Sequence, residues 1–163
     1  MYLSVSFQCQ LRNGGEANAD AVGYRAARKG HMPKRNRILL VDDEPGIRKI
    51  LRLFLELDGF EVFEAITANQ AMQLIQKEKP DLVILDVILC GQTGFDVCEW
   101  MKGDPALKDI IVFLFTALNQ DQDYREGQRV GCDLYLTKPQ NPKSIVEKVH
   151  EYLEPRQHTP SSE

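Results

Sequence analysis

Short apolar runs punctuate this chain, and each halts on a side chain that can do chemistry. Ile38-Leu39-Leu40-Val41 stops on Asp42-Asp43, and Val83-Ile84-Leu85 stops on Asp86. Ile110 to Phe115 stops on Thr116-Ala117. Unbroken runs of this length predict strands buried on both faces. Phe60 to Glu64 alternates apolar and polar positions, which predicts a strand with one more exposed face. Leu134-Tyr135-Leu136-Thr137 reads as a short fifth strand, followed at once by Lys138-Pro139.

Helical spacing fills the gaps. Pro45 suits the first position of a helix carrying Ile47, Ile50, Leu51, Phe54 and Leu57, with Gly59 as its stop. Thr67 and Gln70 have the spacing of a capping box, ahead of Ala71, Leu74 and Ile75. Gly91 and Gly94 predict a flexible loop after Asp86. Phe95, Cys98 and Met101 form the stripe of a third helix, with Trp100 off it and half exposed. Gln120 to Val130 is helical but polar apart from Tyr124 and Val130, so it has little to bury and is expected to be the least stable element. Asn141 and Pro142 open a last helix with Ile145, Val146, Val149, Tyr152 and Leu153. Five strands alternating with five helices predict an α/β fold with a doubly wound parallel sheet. Right-handed crossovers favour the flavodoxin-like order 2-1-3-4-5. In that order the first and third strands are neighbours at the switch point, and Asp42, Asp43 and Asp86 converge on one rim.

Composition narrows the picture. The 163 residues suffice for one ordinary domain, and 43% hydrophobic residues exclude a chain disordered throughout. The net charge of -4 argues against bulk nucleic-acid binding. Cys9, Cys90, Cys98 and Cys132 form no CxxC pair, as expected of reduced thiols in a cytoplasmic protein. No apolar run is long enough to span a bilayer, so no membrane partner is expected. Residues 1–36 read as a flexible leader with a basic end, and Met32 is a natural alternative start, which would make the leader non-native. Residues 37–154 carry the domain, and 155–163 form a polar tail.

Three clustered carboxylates repel one another, so either one holds a proton or the site holds a hard cation. The donors are all oxygen, with no His or Cys nearby, which suits Mg²⁺ (or Mn²⁺ in its place). Alternatively, Asp42 and Asp43 merely favour the start of the first helix. The same rim receives the Thr116 hydroxyl and the Lys138 ammonium. Carboxylate, cation, ammonium and hydroxyl together fit in-line phosphoryl transfer onto Asp86.

LLVDDE, LVILDVIL, FLFTA and YLTKP, in this order over residues 37 to 154, resemble the receiver domain of two-component response regulators, the CheY-like fold. The resemblance implies that Asp86 accepts phosphate from a sensor histidine kinase or a histidine phosphotransfer protein. It implies that Asp42, Asp43, Asp86 and the backbone carbonyl of Ile88 hold Mg²⁺. Lys138 and the Ala117 backbone would meet the phosphoryl group, and the Lys138-Pro139 bond would be cis. Thr116 and Tyr135 would act as a switch pair, biasing the face of the fourth helix, fifth strand and fifth helix toward a downstream protein target, including a phosphorylation-dependent dimer. Two departures stand in the loop after Asp86: Cys90 in place of the usual Pro, and Thr93 where Asp is common. They predict a looser loop. Ile88 and Leu118 are apolar where they would meet the attacking water, which predicts slow loss of phosphate.

Rivals of the same topology lack their marks. A flavin module needs a Ser/Thr-rich phosphate loop where this chain has Asp42-Asp43-Glu44-Pro45. P-loop and GxGxxG patterns are absent. A haloacid-dehalogenase-like phosphatase would want a second Asp where Ile88 stands. The expectation is a stand-alone receiver, not a turnover enzyme, that signals by protein contact without touching nucleic acid. A phosphorylation-independent interaction module or an intermediate phosphate shuttle is the alternative.

Overall fold

A computed structural model describes residues 35–154. The expected leader falls outside these residues except for Arg35 and Asn36, and the tail from 155 falls outside them entirely. The apolar runs are strands: β1 (Arg37–Val41), β2 (Glu61–Ala65), β3 (Leu82–Leu85), β4 (Ile111–Thr116) and β5 (Leu134–Thr137). They pair in parallel in the order β2-β1-β3-β4-β5. Alternate residues along each strand face opposite layers. Leu39, Val41, Val83, Leu85, Val112 and Leu114 face α2 (Ala68–Glu78) and α3 (Gly94–Gly103). Ile38, Leu40, Ile84, Phe113 and Phe115 face α1 (Pro45–Leu57) and α5 (Pro142–Leu153). The remaining helix, α4 (Asp121–Arg129), buries only Gly127, which agrees with its polar sequence.

Helix ends follow local chemistry. At the end of α1, Gly59 adopts φ 96°, donates to the Glu56 carbonyl at 3.1 Å, and lets Phe60 donate to Leu55 at 3.1 Å. This is the paired closure that a left-handed glycine makes. The Thr67 hydroxyl accepts from the Gln70 amide, but the Gln70 side chain reaches past the cap to the Ile66 amide at 3.0 Å. The apolar face of α1 differs from the spacing-based expectation. Leu51 and Leu55 are its buried residues, whereas Ile50 and Leu57 are exposed. The sheet and α5 cover only a narrow stripe of this helix, and Leu55 completes it.

At the entry ends of β4 and β5, the Lys102 ammonium donates to the carbonyls of Ile110 (2.8 Å) and Lys108 (3.1 Å) and to the Asp133 carboxylate (2.8 Å). The same Asp133 oxygen accepts from the Val112 amide at 2.8 Å. Cys98 and Cys132 pack into or against the core, and burial pushes their thiols up to about 12 and about 11. Both are therefore protonated, unreactive side chains at neutral pH. Among the described residues no helix is long and apolar enough to cross a membrane.

Candidate functional site

The sheet register builds the site. Val41 pairs with Leu85, so the residues that follow them, Asp42 and Asp86, leave adjacent strands side by side. Both carboxylates are buried, at 5% and 6% exposure, while Asp43 is exposed. One oxygen from each of the three acids can be chosen so that all lie within 4.8 Å of one another. Lys138 follows the end of β5 and places its ammonium 2.6 Å from Asp42 Oδ2 and 2.7 Å from Asp86 Oδ2. The other oxygens are held by the turns that begin at the acids themselves. Asp42 Oδ1 accepts from the Glu44 amide at 2.8 Å, and Asp86 Oδ1 accepts from the Ile88 amide at 3.0 Å. Burial works against the charge on Lys138, but its hydrogen bonds to Asp42 and Asp86 outweigh burial and raise its pKa above the ordinary lysine value.

Three carboxylates and one ammonium leave two formal negative charges, which one divalent cation would cancel. The donors are hard oxygens on short side chains at a partly open rim. This set fits Mg²⁺, which takes few carboxylates and keeps several waters.

Thr116 ends β4 fully buried, and its hydroxyl accepts from the Leu118 amide at 3.4 Å. The Thr116 carbonyl accepts from the Lys138 amide at 2.8 Å, tying the ends of β4 and β5 together. The Lys138-Pro139 peptide is cis. Ala117 is exposed and Leu118 half-buried, and Ile88 stands 52% exposed beside the acids. Tyr135 donates its hydroxyl to the Leu118 carbonyl at 3.2 Å, and its ring lies 4.6 Å from that of Tyr124. Burial pushes the Tyr135 phenol up to about 12, so it remains a donor at neutral pH.

The loop after Asp86 is better fixed than its glycines suggest. Gly94 is buried, donates to the Val87 carbonyl at 2.9 Å, and leaves no room for a side chain, because a Cβ there would lie 2.1 Å from the Asp86 carbonyl oxygen. Thr93 closes the loop as the cap of α3. Its hydroxyl accepts from the Asp96 amide at 3.2 Å, and the Asp96 carboxylate accepts from the Thr93 amide at 2.9 Å. The Thr93 hydroxyl also lies 2.8 Å from that carboxylate. The Thr93 amide first, and then its hydroxyl, hold the Asp96 carboxyl below the usual aspartate value. The spacing of acids and glycines did not reveal two residues: Gly94 as a close-approach residue, and Arg48, which donates to the Asp42 carbonyl at 2.7 Å. A cation in the opening turns of a helix runs against the helix dipole, and that was the available signal for Arg48.

In a wound parallel sheet ligands bind outside the carboxyl ends of the strands, and this acidic rim with its strand-end lysine lies there. Residues 38–150 match the response regulator receiver domain, and the chain belongs to that family. It is 37% identical over 116 residues to the phosphate regulon transcriptional regulatory protein PhoB of Pseudomonas aeruginosa, covering 71% of this chain and 51% of that protein. It is 37% identical over 117 residues to the DNA-binding dual master transcriptional regulator RpaA of Synechocystis, covering 72% and 48%. The chain thus spans about half the length of the curated relatives it matches. Among solved structures, a CheY-like receiver from Methanospirillum hungatei superposes with a TM-score of 0.69 at 28% identity, covering 72% of this chain and 93% of that one. The receiver of a Syntrophus aciditrophicus signal transduction histidine kinase gives 0.70 at 30% identity, covering 78% and 97%. The relatives' names bear on the expectation that nucleic acid is not a partner, which rests on the net charge of -4 over these 163 residues.

Proposed function

We propose that Asp86 accepts a phosphoryl group from a phosphohistidine on a sensor kinase or a phosphotransfer protein. The observation that carries this reading is the meeting of Asp42, Asp43, Asp86 and Lys138 at one rim. Asp86 attacks in line: a P–O bond forms to its carboxylate as the P–N bond to the donor imidazole breaks, and the imidazole leaves with the freed electron pair. Asp42, Asp43, Asp86 and the Ile88 carbonyl would hold Mg²⁺, or Mn²⁺ in its place, which would supply charge neutralisation for the phosphoryl oxygens. Lys138 releases Asp86 and pairs with a phosphoryl oxygen, a point charge suited to the task. The Ala117 amide and the Thr116 hydroxyl donate to the remaining oxygens.

The modified Asp86 carries close to two negative charges. As Thr116 turns toward them, its bond to the Leu118 amide is lost, and Tyr135 moves with the Leu118 segment it already holds. This biases the α4–β5–α5 face toward a protein target, including a second copy of the chain. Ile88 and Leu118 shield the acyl phosphate from water and slow its hydrolysis.

The test is intact-protein mass spectrometry after incubation with acetyl phosphate and Mg²⁺. The expected result is a gain of one phosphoryl group that vanishes in Asp86→Asn and on chelation. No gain in the wild-type chain would overturn the reading in favour of a phosphorylation-independent interaction module.

A further inference from the structure

Among the described strands, β2 is the one whose end contributes no side chain to the acidic rim, yet it is wired to it. Glu64 of β2 pairs in register with Leu40 of β1. Its Oε1 lies 3.3 Å from Arg48 Nε, and its Oε2 lies 2.5 Å from Arg52 Nη1. Arg48 in turn donates from Nη1 to the Asp42 carbonyl. Arg48 Nε itself is buried without a hydrogen-bond partner, so the Glu64 contact there is one of charge alone. Leaving a buried guanidinium N–H unsatisfied costs free energy. So does placing the cation near the start of α1. A side chain held at two such costs is expected to have a compensating contact, and the Asp42 carbonyl is it.

Every polar group of Asp42 is accounted for. Its amide donates to the Ala65 carbonyl at 3.2 Å. Its Oδ1 accepts from Glu44, its Oδ2 from Lys138 and its carbonyl from Arg48. The first two of these holds belong to backbone amides. Lys138 is the group that must change partners when phosphate arrives. Arg48 is therefore the side-chain hold on Asp42 that persists through the reaction. It also lines, with Asp42, Asp86 and Phe115, a cavity of about 10 Å³ beneath the site.

We infer that Arg48 is a positioning residue for the metal-binding acid Asp42, braced from the edge strand by Glu64. It touches neither phosphate nor metal and acts by fixing the backbone from which the Asp42 carboxylate is presented. The inference rests on the receiver reading given above, and Mg²⁺ binding separates the two. Substituting a group that orients a metal ligand typically weakens metal affinity about 10–100-fold.

The experiment is calorimetric titration of Mg²⁺ into the full chain, with denaturant unfolding in the absence of Mg²⁺ run on each variant. Arg48→Met is expected to weaken Mg²⁺ affinity at least about tenfold while unfolding cooperatively. Arg48→Lys keeps a donor but loses the fork, and is expected to recover part of that loss. Glu64→Gln weakens Mg²⁺ severalfold in the same direction, and it decides the matter if Arg48→Met does not fold. Lys148→Met, which breaks only an exposed pair with Glu151, leaves affinity unchanged. Wild-type Mg²⁺ affinity in a folded Arg48→Met, or in Glu64→Gln when Arg48→Met is unfolded, would overturn the inference while leaving the receiver reading intact. A wild-type chain that takes up no Mg²⁺ would overturn both.

Discussion

The ring of Tyr135 rests directly on the backbone of Gly127, so closely that a Cβ at 127 would lie 2.7 Å from the Tyr135 Cδ2 atom. A glycine inside a helix is normally a weakness, and replacing it with alanine gains up to about 1 kcal/mol. Here the gain is expected to reverse. Gly127→Ala should destabilise the domain by about 1 kcal/mol, because the ring must move and loosen its bond to the Leu118 carbonyl. In a Tyr135→Ala background the same change should stabilise. Denaturant unfolding of the four proteins, treated as a double-mutant cycle, reads the coupling directly.

Gly94→Ala meets backbone atoms rather than a flexible side chain. The Asp86 carbonyl oxygen and the Val87 Cα, at 2.1 and 2.8 Å from the new Cβ, cannot swing aside. The expected cost is at least about 2 kcal/mol, with loss of acetyl phosphate labelling even where the chain still folds. Gly46→Ala, whose Cβ would meet nothing within 4 Å, serves as the matched control and should label normally.

The cap of α3 predicts a pH dependence. The Asp96 carboxyl is held below its unfolded value by Thr93. A lowered folded pKa means that the stabilisation is fully present above the unfolded aspartate value of about 4 and is lost as pH falls through the folded one. Asp96→Ala should therefore be less stable than wild type at pH 7 by about 0.5 kcal/mol, a small figure because the cap is exposed. The difference should narrow as the pH is lowered below about 4. Unfolding curves at neutral and acid pH check the slope.

The side chains of Ile88 and Leu118 offer no hydrogen bond to a water approaching Asp86. The phosphorylated wild-type chain is expected to outlast a measurement of minutes in Mg²⁺. Ile88→Asn, which adds a donor and an acceptor at an exposed position, should shorten the lifetime severalfold. Decay of the phosphoryl mass after desalting gives both rates. A wild-type half-life of seconds would count against the shielding role.

The sheet and its rim were legible because strands buried on both faces leave unbroken apolar runs, and the residue that ends each run marks the rim. Asp42, Asp86, Thr116 and Lys138 are found in this way. What escaped depends on approach in space. Helical spacing omits Leu55 and admits Ile50 and Leu57 to the α1 stripe, because spacing does not tell how wide a stripe the neighbours cover. Gly94 and Gly127 look like ordinary loop and helix glycines in sequence, and only the nearness of Asp86 and Tyr135 gives them a role. Arg48 looks like a surface cation until the Asp42 carbonyl is seen beside it.

The Lys102–Asp133 cluster sits at the far end of β4 and β5 from the acids, and it fastens both strands where they enter the sheet. A sheet clamped at one end deflects at the other, like a reed in its holder. On the proposed reading, rearrangement driven from Asp86 is expected at the free tips, where the Tyr135 hydroxyl meets the Leu118 carbonyl, with the base as a reference frame. Amide exchange at Val112 should be indifferent to phosphate, and loosening Lys102 should let the signal leak into the base.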